Sequence, residues 1–167
     1  MGHSKVATAL FGLVLLGLLT GCAGLTWSLK KSLRTPGERL KHFPEVVWDE
    51  YECDKQKRPF FKIEQNDIVP PRVEAGGEFA HRMVYVMCPK RPTGVVSGRL
   101  VTRIRFRGDP IVRETTDTYD LKPGRWIVDA EVQLPADAQP GIYAYEVAFE
   151  SSRVEFEKRL TFVVQAP

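Results

Sequence analysis

Arginine is concentrated in one short stretch of this sequence, and its side chain binds anions such as phosphate and carboxylate. The stretch contains Arg99, Arg103, Arg105 and Arg107, and no Asp or Glu occurs from residue 80 to residue 105. Alternate residues of a strand point to the same face, so the last three arginines share one face of a strand predicted over residues 97–107. This pattern predicts a basic patch for lipopolysaccharide phosphates, peptidoglycan or an acidic partner.

A second group of residues has metal-binding chemistry. His81 and Met83 lie on one face of a predicted strand, and imidazole and thioether groups are ligands that suit copper(I). Met87 shares this face but lies about 20 Å from His81 along an extended strand, too far for one ion. Methionine also fills irregular space in cores. His81 and Met83 are at most half of a site, so we expect no metal and no cofactor.

Residues for catalysis are sparse. Beyond His81 the chain has only His3 and His42, and no GxSxG motif marks a nucleophilic serine. Acidic residues such as Asp129 and Glu131 alternate with apolar ones, which predicts exposed positions on a strand. We therefore expect that the protein is not an enzyme.

The first residues have the three parts of a secretory signal. Lys5 precedes an apolar run from Val6 to about Leu19, which is shorter than the roughly 20 residues of a transmembrane helix. The run ends in Leu19-Thr20-Gly21-Cys22, which resembles the lipobox of bacterial lipoproteins. The resemblance implies that residues 1–21 are a signal peptide, cleaved before Cys22, and that Cys22 is then acylated. An uncleaved membrane helix, or an ordinary signal cut near Ala23-Gly24, is the alternative.

The lipoprotein resemblance also implies a location. Many such proteins of Gram-negative bacteria stay in the inner membrane when Asp follows the acylated cysteine, so Ala23 implies the outer membrane. Residues 22–34 then form a lipid-anchored tether, in which Lys30 and Lys31 either contact anionic headgroups or belong to a linker that folds back on the domain.

The rest of the composition fits one folded domain. Removal of residues 1–21 takes away Lys5 and lowers the net charge from +3 to +2, which gives no reason to expect nucleic acid. If Cys22 is acylated, Cys53 and Cys88 remain, and an even number in an exported protein predicts a disulfide. Its loop of about 36 residues contributes about 4 kcal/mol in the chain-entropy model.

Two helix starts are predicted before the first strand, in a short helical collar over residues 35–58. Thr35-Pro36-Gly37-Glu38 has the pattern of a capping box with proline at the first helical position, and this helix must end before Pro44. A second helix starts at Pro44-Glu45 and runs through Val46–Tyr51, although these residues also fit a strand.

From residue 59 to residue 167 the apolar period is two, and turn residues separate the runs. Strands are predicted over residues 60–65, 68–73, 81–88, 97–107, 111–115, 126–134, 142–150 and 154–165. Pro70-Pro71 places Ile68–Val73 at a sheet edge, since proline cannot donate a ladder hydrogen bond. Parallel strands would need long crossovers, which are absent, so we predict an antiparallel sandwich of about seven strands.

Three segments of this region resemble bacterial immunoglobulin-like domains: Leu121-Lys122-Pro123-Gly124-Arg125-Trp126, Leu134-Pro135-Ala136-Asp137 and Pro140-Gly141-Ile142-Tyr143. The resemblance implies an immunoglobulin-like β-sandwich. The Cys-Trp-Cys arrangement of antibody domains is absent, because Cys53 precedes the sandwich and no cysteine follows Trp126. A Cys53–Cys88 bridge would instead join the N-terminal segment to a sheet.

The strand order of that fold offers a structural role for the arginines. Residues 97–107 would lie beside Ile142–Glu150, whose outward residues include Glu146 and Glu150. Opposite charges across two strands would then form a ladder that contributes only tenths of a kcal/mol per pair.

Taken together, these features predict a lipid-anchored protein of the cell envelope. We expect a non-catalytic binding or structural module, with the membrane and an envelope protein as partners. A copper-binding lipoprotein and a surface adhesin are the alternatives. Exposed strands at Ile68–Val73 or Ile111–Thr115 could pair with a partner strand.

Overall fold

The computed structural model describes residues 29–91 and 93–166. The predicted signal peptide, the lipobox with Cys22, and residues 22–28 of the tether lie outside the described residues. Within the described part, no helix has both the length and the apolar character needed to cross a membrane.

Strands dominate the described residues. After a helical turn at residues 29–32, they form one short helix, one 3₁₀ turn and nine strands. The helix is α1 (Pro44–Glu50), and the 3₁₀ turn covers Cys53–Lys55. The strands are β1 (Gly37–His42), β2 (Phe60–Val69), β3 (Arg72–Glu74), β4 (Glu78–Cys88), β5 (Val96–Phe106), β6 (Asp109–Leu121), β7 (Gly124–Gln133), β8 (Gly141–Glu150) and β9 (Glu155–Gln165).

The strands form two sheets that pack as a sandwich. One sheet has the order β1-β7-β4-β2, and the other has the order β3-β9-β8-β5-β6. All neighbours are antiparallel except β3 and β9, which are parallel. The predicted mainly β, immunoglobulin-like sandwich is confirmed, with nine strands instead of about seven and with one parallel pair at an edge.

Alternation of apolar residues along the strands builds the core between the sheets. On β8 the inward side chains are Tyr143, Tyr145, Val147 and Phe149, all at most 3% exposed, as the period of two predicts. Phe79 of β4 meets two rings of the facing sheet, with its centroid 5.4 Å from Tyr145 and 4.8 Å from Phe162. This end of the core holds Ile68, Ile104, Leu134 and Val164, whereas Met83, Tyr85, Met87, Leu121 and Phe149 fill the other end.

The predicted helix that begins at Thr35 is wrong. Residues 37–42 form β1, which pairs with β7 from Gly37 opposite Asp129 to His42 opposite Arg125. In immunoglobulin-like sandwiches, the edge position beside the strand equivalent to β7 is filled by the strand that directly precedes it in sequence. Here β6 belongs to the other sheet and leads directly into β7, so no such preceding strand is present among the described residues. The edge of β7 therefore needs another partner for its backbone groups, and this need outweighs the local capping signal.

The break between the strands predicted over residues 60–65 and 68–73 is also absent, because β2 continues through Asn66 and Asp67 to Val69. Polar partners stabilise them within the strand: Asn66 contacts His81, and Asp67 binds Arg34. The strand bends at a register shift between Ile63 and Gln65.

The second predicted helix and the disulfide are both confirmed. Helix α1 begins at Pro44 and buries Val47 against the four-stranded sheet. Cys53 in the 3₁₀ turn is bonded to Cys88 on β4, with 5.9 Å between the two Cα atoms. The bridge thus joins the N-terminal segment to the sheet, as the position of Cys53 ahead of the sandwich predicted.

The sheet order also locates the edges. Strands β2 and β3 contain the predicted edge Ile68–Val73, and β6 contains Ile111–Thr115; all three are edge strands. Strand β6 is longer than predicted, with 13 residues that are nearly all exposed or half-buried.

Candidate functional site

Strand pairing brings arginines from three strands onto the outer face of the five-stranded sheet. Arg103 on β5 lies opposite Arg113 on β6 and opposite Glu146 on β8. On the other side of β8, Glu146 lies opposite Arg159 on β9. One row across four strands therefore contains three guanidinium groups and one carboxylate.

Glu146 is the centre of this row. Its Oε2 accepts a hydrogen bond of 2.6 Å from Arg105 Nε and lies 3.6 Å from Arg103 Nη1, while its Oε1 lies 3.7 Å from Arg159 Nε. Only 5% of its side chain is exposed, because the arginine side chains cover it. We call Arg103, Arg105, Arg113 and Arg159, together with Glu146, the arginine face.

The two outer members of the predicted run lie apart from this cluster. Arg99 pairs across the strands with Glu150, 2.8 Å away, and both side chains are largely exposed. Arg107 lies in the turn between β5 and β6, where its guanidinium carbon stands 4.8 Å from the centroid of the Phe106 ring. The predicted patch is thus divided, and only Arg103 and Arg105 belong to the arginine face.

Positive charge is in excess on the arginine face. Its four arginines and one glutamate leave a net charge of +3, and among the described residues Arg113 has no ion-pair partner. Guanidinium groups offer planar pairs of donors that fit phosphate and carboxylate oxygens. This arrangement is suited to binding anions.

Two exposed apolar side chains border the arginine face. Ile142 at the start of β8 is 71% exposed, and Val163, directly opposite it on β9, is 36% exposed. Between them and Glu146 lie only Ala144 and Thr161, so small side chains separate the apolar pair from the charged row. We call Ile142 and Val163 the apolar pair.

Sequence reasoning found Arg103, Arg105 and their counter-charge Glu146, but it missed Arg113 and Arg159. Arg159 is an outward residue by alternation, because Phe162 and Leu160 face the core. The alternation of apolar residues therefore predicts that Arg159 faces outward. Its contact with Glu146 could not be predicted, because it depends on which strands become neighbours.

The outer face of the four-stranded sheet has buried charges of a different kind. Asp129 accepts two hydrogen bonds from Arg82, of 2.7 and 2.8 Å, and pairs with Arg39 at 2.8 Å. Burial alone would raise the pKa of Asp129, but these two arginines outweigh it and hold the pKa below its usual value. The prediction that Asp129 is exposed is wrong, since its side chain is 1% exposed.

Arg125 on β7 joins several elements in a second buried network. It donates two hydrogen bonds to Glu64 on β2, of 2.7 and 2.6 Å, one to Glu50 on α1 and one to His42 on β1. These carboxylates raise the pKa of Arg125. The hydrogen bonds occupy four of its five donors, which indicates a structural role.

The predicted metal candidates serve the core. His81 is buried, with Nε2 2.8 Å from Asn66 Oδ1 and its ring 5.0 Å from the Tyr145 ring centroid. Burial lowers the pKa of His81 to about 4. Met83 is 1% exposed and packs in the second part of the core, as a space-filling methionine does. Among the described residues, no group of three or more His, Cys, Asp or Glu side chains is arranged to hold a metal ion.

Comparison with known proteins gives no family. No family model matches the chain, and no curated protein matches it. Parts of the chain are similar in structure to a family 123 glycoside hydrolase from Clostridium perfringens, with 13% identity and a TM-score of 0.42 over 56% of this chain and 22% of that chain. The alkylpurine DNA glycosylase AlkC from Pseudomonas fluorescens has 13% identity and a TM-score of 0.44 over 64% and 30%.

The sporulation control protein Spo0M from Bacillus subtilis gives 12% identity and a TM-score of 0.42, over 64% of this chain and 50% of that one. The chain thus spans half or less of these proteins. At such TM-scores the likeness carries no argument about activity, and the function must be inferred from the site itself.

Proposed function

We propose that this chain is a lipid-anchored, non-catalytic binding module of the bacterial cell envelope, attached to the outer membrane through Cys22. Its binding surface is the arginine face. The observation that carries the proposal is the excess of guanidinium groups around one buried carboxylate on the rigid outer face of a sheet. The lipobox pattern and Ala23 support the anchor and the location.

The arrangement of the other ionisable groups supports a non-catalytic role. Asp129 and Glu64 are occupied by arginine partners, and His81 is enclosed in the core. These three groups have displaced pKa values because of their surroundings in the fold, whereas catalytic groups must reach a substrate.

The anchor is tested by Cys22→Ala in cells supplied with labelled palmitate. The wild-type chain should take up the label and sediment with membranes, whereas the Cys22→Ala chain should be unlabelled and leave the membrane fraction. Cys88→Ser serves as the control, since it keeps Cys22 and should keep the label. A Cys22→Ala chain that still fractionates with membranes would contradict the anchor.

The proposed outer-membrane location is tested with a separate variant, Ala23→Asp. Ala23→Asp should move the labelled protein from the outer-membrane to the inner-membrane fraction on a density gradient. An unchanged distribution would contradict the proposed outer-membrane address while leaving the anchor intact.

Binding by the arginine face is tested by crosslinking in intact cells. The double variant Arg113→Glu/Arg159→Glu reverses two exposed charges of the arginine face. The control double variant Lys90→Glu/Arg91→Glu makes the same change in net charge at the other end of the sandwich. We expect the first pair to lose the wild-type crosslinks to envelope components and the second pair to keep them. Equal patterns for both pairs would contradict the arginine face as the binding surface.

A further inference from the structure

We propose that the arginine face and the apolar pair bind the anionic headgroup surface of the membrane in which the chain is anchored. The sandwich then lies with one end on the bilayer instead of projecting freely from its tether. This inference rests on the proposed lipid anchor at Cys22 and names the ligand of the proposed binding surface. Three features of the described residues point to it.

The first feature is the place where the tether joins the domain. Arg34 donates hydrogen bonds to the Asp67 carboxylate and to the carbonyl oxygens of Asp67 and Ala80, and Lys31 pairs with Glu78. These contacts hold residues 31–34 where β2 ends and β4 begins. The chain therefore enters the sandwich at one defined end.

The second feature is that the apolar pair lies at this same end. Phe79, next to the Lys31 partner Glu78, packs on Phe162, and Phe162 in turn packs on Tyr143, 5.5 Å between ring centroids. Ile142 directly precedes Tyr143, and Val163 directly follows Phe162, so both point to the outer surface of the sheet. The tether and the apolar pair are thus on opposite sides of one end of the core.

The length of the tether brings this end close to the membrane. Leu29 follows Cys22 by seven positions, and a chain of that length spans at most about 25 Å. Since residues 31–34 are fixed to the sheet at this end, an acylated Cys22 keeps this end of the sandwich within reach of the headgroups.

The third feature is the chemistry of the exposed side chains at this end. Five of the nine large apolar side chains that are exposed among the described residues lie here: Leu29, Leu33, Ile111, Ile142 and Val163. Arg105 lies opposite Ala144, the next outward residue after Ile142 on β8, and Arg72 lies opposite Val163 on β3. Basic groups next to apolar groups match a bilayer surface, which offers phosphates above hydrocarbon.

A soluble anion would fit this end of the sandwich less well than a bilayer surface does. Free phosphate would use the guanidinium groups but would leave Ile142 and Val163 in water. A glycan or protein partner would not explain why the patch and the tether occur at the same end. The lipid surface accounts for both features.

The test uses the full-length acylated protein, reconstituted into vesicles of phosphatidylcholine alone or of phosphatidylcholine with phosphatidylglycerol. With Cys22 acylated and Cys53 bonded to Cys88, an introduced cysteine is the single free thiol. Ile142→Cys reports on the apolar pair, and Val95→Cys, which is also an exposed apolar position, reports on the other end. Each variant is labelled with an environment-sensitive fluorophore, and quenching by lipids with a headgroup nitroxide is measured.

We expect strong quenching of the Ile142 probe in phosphatidylglycerol vesicles, weaker quenching without phosphatidylglycerol or at high salt, and little quenching of the Val95 probe throughout. Arg113→Glu with Arg159→Glu should reduce the quenching at Ile142 several-fold, whereas Lys90→Glu with Arg91→Glu should not. Thr161→Cys repeats the measurement with the side chains of the apolar pair intact.

The outcomes separate the two proposals. If the protein carries no lipid and does not enter the vesicles, the anchor is wrong. If it enters the vesicles but the probes at Ile142 and Thr161 stay as unquenched as the probe at Val95, the anchor holds and the membrane-facing end is wrong. If the charge reversal leaves quenching unchanged but abolishes crosslinks to an envelope protein, the arginine face docks a protein, and the inference is overturned.

Discussion

Glu146 shows how a single residue organises the arginine face. A carboxylate at 5% exposure would be strongly disfavoured without partners, and the arginines of β5 and β9 supply them. In return, the carboxylate relieves repulsion among guanidinium groups that the strand register forces together. Glu146 therefore stabilises the fold and reduces the positive charge that is available to a ligand.

Glu146→Gln removes this charge and preserves the shape of the side chain. We expect the free energy of unfolding to fall by about 1–3 kcal/mol, because the three arginine partners stay in place without their buried counter-charge. Urea unfolding at low and high salt measures the change, and salt should reduce it by screening the repulsion.

Glu150→Gln is the matched control for Glu146→Gln. Its pair with Arg99 is exposed on both sides, so its loss should cost less than about 0.5 kcal/mol. Equal losses for the two variants would show that burial of Glu146 is without energetic consequence.

His81 makes stability depend on pH. Its pKa is about 4 in the folded chain and about 6.5 in an unfolded chain, so the unfolded state binds the extra proton first as the pH falls. The contribution is complete above about pH 6.5, and it is lost progressively down to about pH 4, by up to about 3 kcal/mol. Chemical unfolding at a series of pH values between these limits measures the slope.

His81→Gln should flatten that slope, because glutamine does not titrate and still offers an amide to Asn66. His42→Gln, on the surface side of the Arg125 network, should retain the slope that is due to His81. A slope that persists in His81→Gln would assign the acid sensitivity to other groups.

At the scale of elements, β1 is the unusual member of the fold. It fills the edge of β7 from the N-terminal side, and Gly124 allows its close approach, since a Cβ there would lie 2.8 Å from the His42 carbonyl oxygen. Arg125 then ties β7 to β1, β2 and α1 at once through His42, Glu64 and Glu50. One residue thus links four elements that are distant in sequence.

Arg125→Lys should loosen this junction while keeping the charge. A lysine cannot form the paired hydrogen bonds to Glu64 and also reach Glu50 and His42, so we expect a loss of about 2 kcal/mol in thermal or urea unfolding. Arg99→Lys, at an exposed pair, is the control and should change stability by less than about 0.5 kcal/mol. A similarly small effect at both positions would argue against a structural role for the network.

At the scale of the whole molecule, residues 31–34 at the described end of the tether form one body with the sandwich. The Arg34 side chain is 5% exposed and lies against β2 and β4, and Arg82 donates a hydrogen bond to the carbonyl oxygen of Leu33. Under the proposed anchor at Cys22, an orientation imposed at the membrane would therefore reach the sandwich through these contacts.

Arg34→Met should release the tether without unfolding the domain. Charge-assisted hydrogen bonds contribute about 1.5–3 kcal/mol, so the open form should increase roughly tenfold or more. Cleavage after Lys30 and Lys31 by a lysine-specific protease should accelerate by the same factor, because it follows the population of the open form. Arg99→Met is the control, and equal rates in the two variants would contradict a fixed tether.

The sequence by itself determined the layers of the fold. The period of two in segments such as residues 142–150 is a local property of the strand, and it specified which side chains enter the core. The expectation that Cys22 is acylated left two cysteines, and this sufficed to predict the Cys53–Cys88 bridge. These features need no knowledge of which strands are neighbours.

Only the tertiary structure decided where β1 lies, whether Asp129 is buried, and which arginines surround Glu146. Each depends on a contact between residues far apart in sequence, such as Arg105 with Glu146, 41 positions apart. A strand edge without a partner can recruit a segment whose local pattern favours a helix, because unpaired backbone groups cost more than a lost cap. Local periodicity therefore predicts faces, while the pairing of strands decides which faces meet and which charges they bring together.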